Sequence, residues 1–125
     1  MEYLIIAIKI VIFVSIINVW FFRFNESTSW RGGEASSMKE EFAAYGLSTT
    51  LMYIVGFLKV LSALLLVISI WVPSLVLPAA GLMAFLMLGA IAMHLKINDP
   101  LRSSFPAFSF LVLSLVLIAF DQGWF

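Results

Sequence analysis

Cysteine is absent from the 125 residues, which removes disulfides, thiol redox chemistry, iron–sulfur clusters and Cys-bound zinc. Charge is scarce too: charged residues make up 11% of the chain, against about a quarter in a soluble domain. Neither sign is in excess. Seven basic residues meet seven acidic ones, so no basic field draws nucleic acid, and no nucleic-acid partner is expected. The single histidine cannot supply paired axial ligands to a haem. No acid pair is spaced for general acid–base work, no Ser-His-Asp or HExxH pattern occurs, and Gly32-Gly33 is too little for a phosphate loop. No catalytic residue and no metal site is expected, and the chain reads as non-catalytic on its own. A basic segment before the first apolar run is missing as well. Glu2 and Tyr3 stand there instead, so that run reads as a retained helix rather than a cleaved signal.

What the chain has is apolar length. Hydrophobic residues make up 63% of it, gathered in four runs at 4–22, 51–71, 75–95 and 105–120. A spanning helix needs roughly 20 apolar residues to cross about 30 Å of hydrocarbon. The first three runs meet that length, and the fourth completes its crossing by carrying Asp121 to about residue 122. Tyr3, Trp20, Trp71 and Trp124 sit at run ends, where amphipathic rings favour the headgroup layer. Pro73 and Pro78 flank a tight turn that sets runs two and three antiparallel, Asn98-Asp99-Pro100 separates runs three and four, and Pro106 suits a first helical turn. The expected fold is all-α: an integral membrane four-helix bundle, antiparallel, in a single transmembrane domain with the lipid bilayer as its solvent.

The one substantial polar segment is 23–50. Arg31-Gly32-Gly33 reads as a turn, and Ser37-Met38-Lys39-Glu40 matches a capping box opening a short amphipathic helix over about 38–46, closed by Gly46. Met38, Phe42 and Tyr45 share one side of it. Such a stripe suits either the membrane surface or a cap over the bundle mouth. Loop charges set the expected orientation. Arg23, Arg31, Lys39, Lys96 and Arg102 fall in the first and third loops, on one side of the membrane. The positive-inside rule then puts loops 23–50 and 96–104 in the cytoplasm and both termini outside.

Polar groups inside a membrane are costly unless used or satisfied, so they mark candidate sites. Lys9 and Asp121 fall about 8 Å and about 6 Å from the same terminal-side interface, by helical rise. They either form an intramembrane ion pair, or Lys9 snorkels and Asp121 is merely interfacial. Lys59 lies about 12 Å from the loop-side interface, with no acid at its depth in any helix. Asn18, His94 and Ser114 fall in or near its layer, one from each other run. Gly56, Lys59 and Ala63 form one stripe on run two, and Ala80, Met83, Met87, Ala90 and His94 another on run three. Two readings stand for this layer: Asn18, Lys59, His94 and Ser114 line a ligand pocket, or Lys59 snorkels to the headgroups and the stripes only pack. The deepest charge is basic, which disfavours a proton-driven cation exporter, since that would want a carboxylate there.

Several motifs resemble the DoxX-like family of small membrane proteins. They are Trp20-Phe21-Phe22-Arg23-Phe24, Arg31-Gly32-Gly33, Glu41-Phe42 with Tyr45-Gly46, and Val55-Gly56-Phe57-Leu58-Lys59 running on to Leu66. Gly89-Ala90, His94-Leu95-Lys96, Asp99-Pro100 and Pro106-Ala107 continue the resemblance to the last loop. It implies a four-helix membrane bundle, with the bacterial cytoplasmic membrane as the expected location. The family's named prototype is a subunit of a thiosulfate:quinone oxidoreductase, so a quinone-linked redox role is one implication. Other relatives act as accessory or assembly proteins, which implies a membrane-protein partner or a homo-oligomer. The cofactor is left unknown, with a quinone or a lipid as the candidates. Many relatives carry Glu where Lys59 stands, which weakens any transfer of a carboxylate-based mechanism.

Overall fold

Apolar runs free of internal breakers become helices in hydrocarbon because every backbone N–H and C=O must be bonded within its own segment. A computed structural model describes residues 2–22, 25 and 37–124. Helix α1 spans Glu2–Ile17 and runs on into a π-helical turn, Asn18–Phe22. A short helix α2, Met38–Ala44, precedes α3, Thr49–Ile68. Helix α4, Val76–Lys96, and helix α5, Phe105–Asp121, are each entered through a 3₁₀ turn, Pro73–Leu75 and Leu101–Ser104. Counted with these turns, α1, α3, α4 and α5 are long and apolar enough to cross a bilayer. No strand occurs among the described residues. The protein is an all-α, multi-pass integral membrane protein.

The helix ends follow local chemistry. The N-cap half of the expected capping box is formed: the Glu40 N–H donates to Ser37 Oγ at 3.2 Å, while the Glu40 carboxylate accepts from the Ser37 hydroxyl at 3.3 Å instead of from its backbone N–H. Gly46 takes φ +79°, and the Gly46 and Leu47 N–H groups bond back to Ala43 and Phe42 carbonyls in a Schellman motif. Ser48 caps α3 by accepting from the Leu51 N–H. Helix α4 closes with a second Schellman motif, in which Asn98 supplies the left-handed residue (φ 56°) and Asp99 N–H bonds to the His94 carbonyl at 3.0 Å. The expected Arg31-Gly32-Gly33 turn, with Arg23, lies outside the described residues.

In the bundle α3 packs against α1 and α4, α4 most extensively against α5, and α1 also meets α5. Small buried residues, Ala63 on α3 and Ala79, Ala80 and Ala84 on α4, let the backbones approach. There Ser62 Oγ donates to the Ala79 carbonyl across the α3–α4 contact at 2.6 Å, a bond worth about 0.6 kcal/mol in a membrane interior. Met52, Leu66, Met83 and Leu117 fill the centre, while Tyr53, Phe57, Phe85 and Phe108 point outward as a lipid-facing surface would. Four crossings return the chain to its starting side. Reporter domains joined to the two chain ends are expected to report the same compartment, and opposite compartments would refute the four-span topology.

Candidate functional site

The loop-side half of the bundle is hollow. A cavity of about 770 Å³ lies between the spanning helices beneath α2, within the range of sites that take small molecules. The apolar side of α2 closes it: Met38 and Phe42 are buried, and the Phe42 ring meets the Trp20 ring edge-on at 6.1 Å. Of the two arrangements open to this stripe, the helix takes the cap over the bundle mouth. Lys96 ties it down by donating to the Tyr45 carbonyl at 2.9 Å.

Three of the four pocket residues expected from the sequence border this cavity. Asn18 does so from the π turn of the first span, together with Val19 and Trp20. Turns of this kind recur at functional sites. Lys59 is partly buried, with its Nζ 5.6 Å from the centre of the Trp20 ring, an attraction of about 2 kcal/mol when desolvated. His94 is buried on the α4 wall. Ser114 is placed differently. Ser103, Ala107 and Phe110 line the cavity from the α5 side, and Ser114 follows on that face one turn farther from the loops. It is fully buried, and its Oγ has no hydrogen-bond partner among the described residues. Lys9 is buried at the other end of the bundle, where the charge that acts on it is that of Asp121, an exposed residue.

The structure adds three groups that sequence counting missed. Glu41 on α2 lines the cavity, only 8% exposed, and its carboxylate is the charge that acts on Lys59. An acid therefore does serve the Lys59 layer, supplied by the loop helix rather than by a spanning run. Tyr45, four residues on and so on the same side of α2, donates its hydroxyl to Glu41 Oε1 at 2.7 Å. The same hydroxyl lies 3.3 Å from His94 Nε2, with the two rings edge-on at 5.6 Å. His94 Nδ1 in turn lies 2.7 Å from Asp99 Oδ2. The Schellman closure of α4 fixes that last contact, because bonding Asp99 N–H back to the His94 carbonyl brings the carboxylate under the ring. A carboxylate on the apolar side of an eight-residue amphipathic stretch was the one signal that could have exposed Glu41.

Chemically the site offers a cation, a buried carboxylate and a chain of hydrogen-bonded titratable groups at the edge of an otherwise apolar cavity. The model of the DoxX-like family matches residues 16–119, from the end of the first span almost to the end of the last, so it takes in every cavity residue named above. The chain belongs to the DoxX-like family. Comparison with curated proteins and with solved structures gives no match.

Proposed function

We propose that this DoxX-like protein is a single transmembrane unit acting as a non-catalytic accessory or ligand-binding subunit, whose loop-side cavity takes the polar head of a lipid-like or quinone-like molecule. One observation carries the reading: a lysine ammonium and a buried carboxylate, Lys59 and Glu41, face an apolar cavity large enough for a small molecule. Packing alone gives no reason to keep either charge there, since each is costly away from water. Asn18 and His94 offer further hydrogen bonds at the rim, and Ser114 lies beyond the floor. Lys9 and Asp121 place opposite charges at the other end of the bundle, outside this site.

A second reading, a membrane subunit of a quinone-linked redox enzyme, draws on the family resemblance and on the buried Tyr45–His94 hydrogen bond, because quinone reduction takes up protons. An absorption spectrum of the purified protein separates the two, a bound chromophore favouring redox work. The partner is then a membrane protein or a second copy of this chain in a bacterial cytoplasmic membrane. The loop charges favour cytoplasmic loops 23–50 and 96–104 with both termini outside, which the same reporter fusions test. For the cavity itself the decisive measurement is mass spectrometry of small molecules co-extracted in mild detergent. A lipid or quinone held in constant ratio to protein is expected. Recovery of bulk lipid alone, in proportions that follow the membrane, would sink the reading.

A further inference from the structure

We propose that Glu41, Tyr45, His94 and Asp99 form a proton relay between the cavity and the loop side, and that the cavity's ligand is an amphiphilic weak acid, a carboxylic acid or phenol, which gives its proton to Glu41 as it binds. The second half rests on the cavity's being a ligand site; the first does not.

The geometry carries the relay. Three contacts of 2.7, 3.3 and 2.7 Å join four titratable side chains in series, from Glu41 Oε1 through Tyr45 Oη and the two ring nitrogens of His94 to Asp99 Oδ2. All four are shielded: Glu41 and Tyr45 are buried, and the His94 and Asp99 side chains are 6% and 7% exposed. The chain starts at the cavity wall and ends in the third loop, between the exposed residues Asn98 and Pro100.

A phenol has one hydrogen to give, and this makes the chain two-state. With Glu41 ionised, Tyr45 donates to the carboxylate and accepts from His94 Nε2–H, while Nδ1–H donates to Asp99; the ring is then an imidazolium. With Glu41 protonated, the carboxyl donates to Tyr45, Tyr45 donates to Nε2, and a neutral His94 keeps its Nδ1–H on Asp99. One proton passes from His94 to Glu41 between these arrangements, and every one of the three contacts survives. A series of this kind conducts without leaving a buried donor or acceptor unsatisfied in either state.

The facing charges select the ligand. Lys59 reaches the same cavity from α3 and Glu41 acts on it, while Lys96 of α4 holds the Tyr45 carbonyl from the other side of α2. Lys39 and Glu40 of α2 and Arg102 of the third loop are exposed. A head that arrives as the neutral acid finds a base to receive its proton and a cation to hold the anion that forms. The acid's O–H bond breaks, the proton goes to a Glu41 oxygen, and the electron pair stays on the ligand oxygen beside the Lys59 ammonium. The net charge of the cavity does not change in this transfer. The imidazolium then sheds its Nδ1 proton through Asp99 to loop-side water, which leaves Glu41 protonated and a neutral His94 whose remaining hydrogen, on Nε2, still bonds to Tyr45.

Infrared spectroscopy on the full-length protein in lipid nanodiscs tests both halves. First, without ligand, a drop in pH should raise the carbonyl stretch of a protonated carboxyl that is missing in Glu41→Gln. In Tyr45→Phe, which removes only the hydroxyl, that band should rise at least about a hundredfold more slowly, as when a positioned proton carrier is lost. Asp99→Asn should slow it too, with Tyr45 intact. Equal rates in wild type and both variants would overturn the relay. Second, decanoic acid labelled with ¹³C at its carboxyl should saturate, appear as the labelled carboxylate, and bring up the unlabelled Glu41 carbonyl band. Saturable binding with no change at Glu41 would overturn the weak-acid assignment. No saturable binding at all would overturn that assignment together with the ligand-site reading, and the first arm would still decide the relay.

Discussion

Replacing Lys59 by Met is expected to empty the cavity of its head group while the four-helix bundle stays folded. Met fills a similar volume on α3, and its thioether can rest against the Trp20 ring, where the ammonium now sits 5.6 Å from the ring centre. The variant loses a cation–π attraction of about 2 kcal/mol and the cation that faces Glu41, yet it also no longer holds a charge away from water, so the changes partly offset. Binding has no such compensation. A charge-assisted hydrogen bond lost from a ligand head costs about 1.5–3 kcal/mol, which is roughly tenfold to more than a hundredfold in affinity. The check is to compare the lipids or quinones co-purified with wild type and variant, alongside their thermal unfolding. Identical ligand content and identical stability would leave Lys59 as an interfacial anchor.

Gly56→Ala should be the most damaging of the glycine-to-alanine changes within the spanning helices. A Cβ there would stand 2.7 Å from Trp20 Cε3 and 3.0 Å from Cη2, closer than real side chains pack. The ring cannot yield cheaply, because Phe42 of α2 leans on it and Lys59 lies over it. Overpacking of this kind costs about 1–3 kcal/mol, which should appear as a fall of several degrees in the unfolding midpoint. Because Trp20 is also the wall between α1 and the cavity, ligand retention should fall with stability. In a Trp20→Leu background, where the clashing ring is gone, adding Gly56→Ala should cost much less than it does in the wild type. An unchanged midpoint in Gly56→Ala would show that the α1–α3 contact is looser than the ring packing implies.

The site was half legible before folding, and the division has a physical cause. Lys59 and His94 stand out because each interrupts an apolar run, and a polar group in hydrocarbon demands an explanation wherever it falls. Glu41, Tyr45 and Asp99 belong to polar loops, where a carboxylate or a phenol is unremarkable. Counting rise along straight helices also assigned Ser114 to the depth of Lys59, whereas the helix faces leave it one turn past Phe110 and outside the cavity lining. Depth is one coordinate; which face a residue shows, and what lies across from it, depends on how the helices cross.

By itself the sequence determined that the chain is an all-helical membrane bundle, that a short helix opens at the Ser37–Glu40 capping box, and that Gly46 closes it, because these depend on run length, backbone hydrogen bonding and side chains a few residues apart. Only the tertiary structure decided that α2 turns its apolar side down over the bundle mouth rather than along the membrane surface. That placement brings Glu41 to Lys59 and Tyr45 to His94, residues 49 positions apart for the latter pair. Such contacts are long-range: they follow from burying Met38 and Phe42 against Trp20, a free-energy gain that no local pattern along the chain contains.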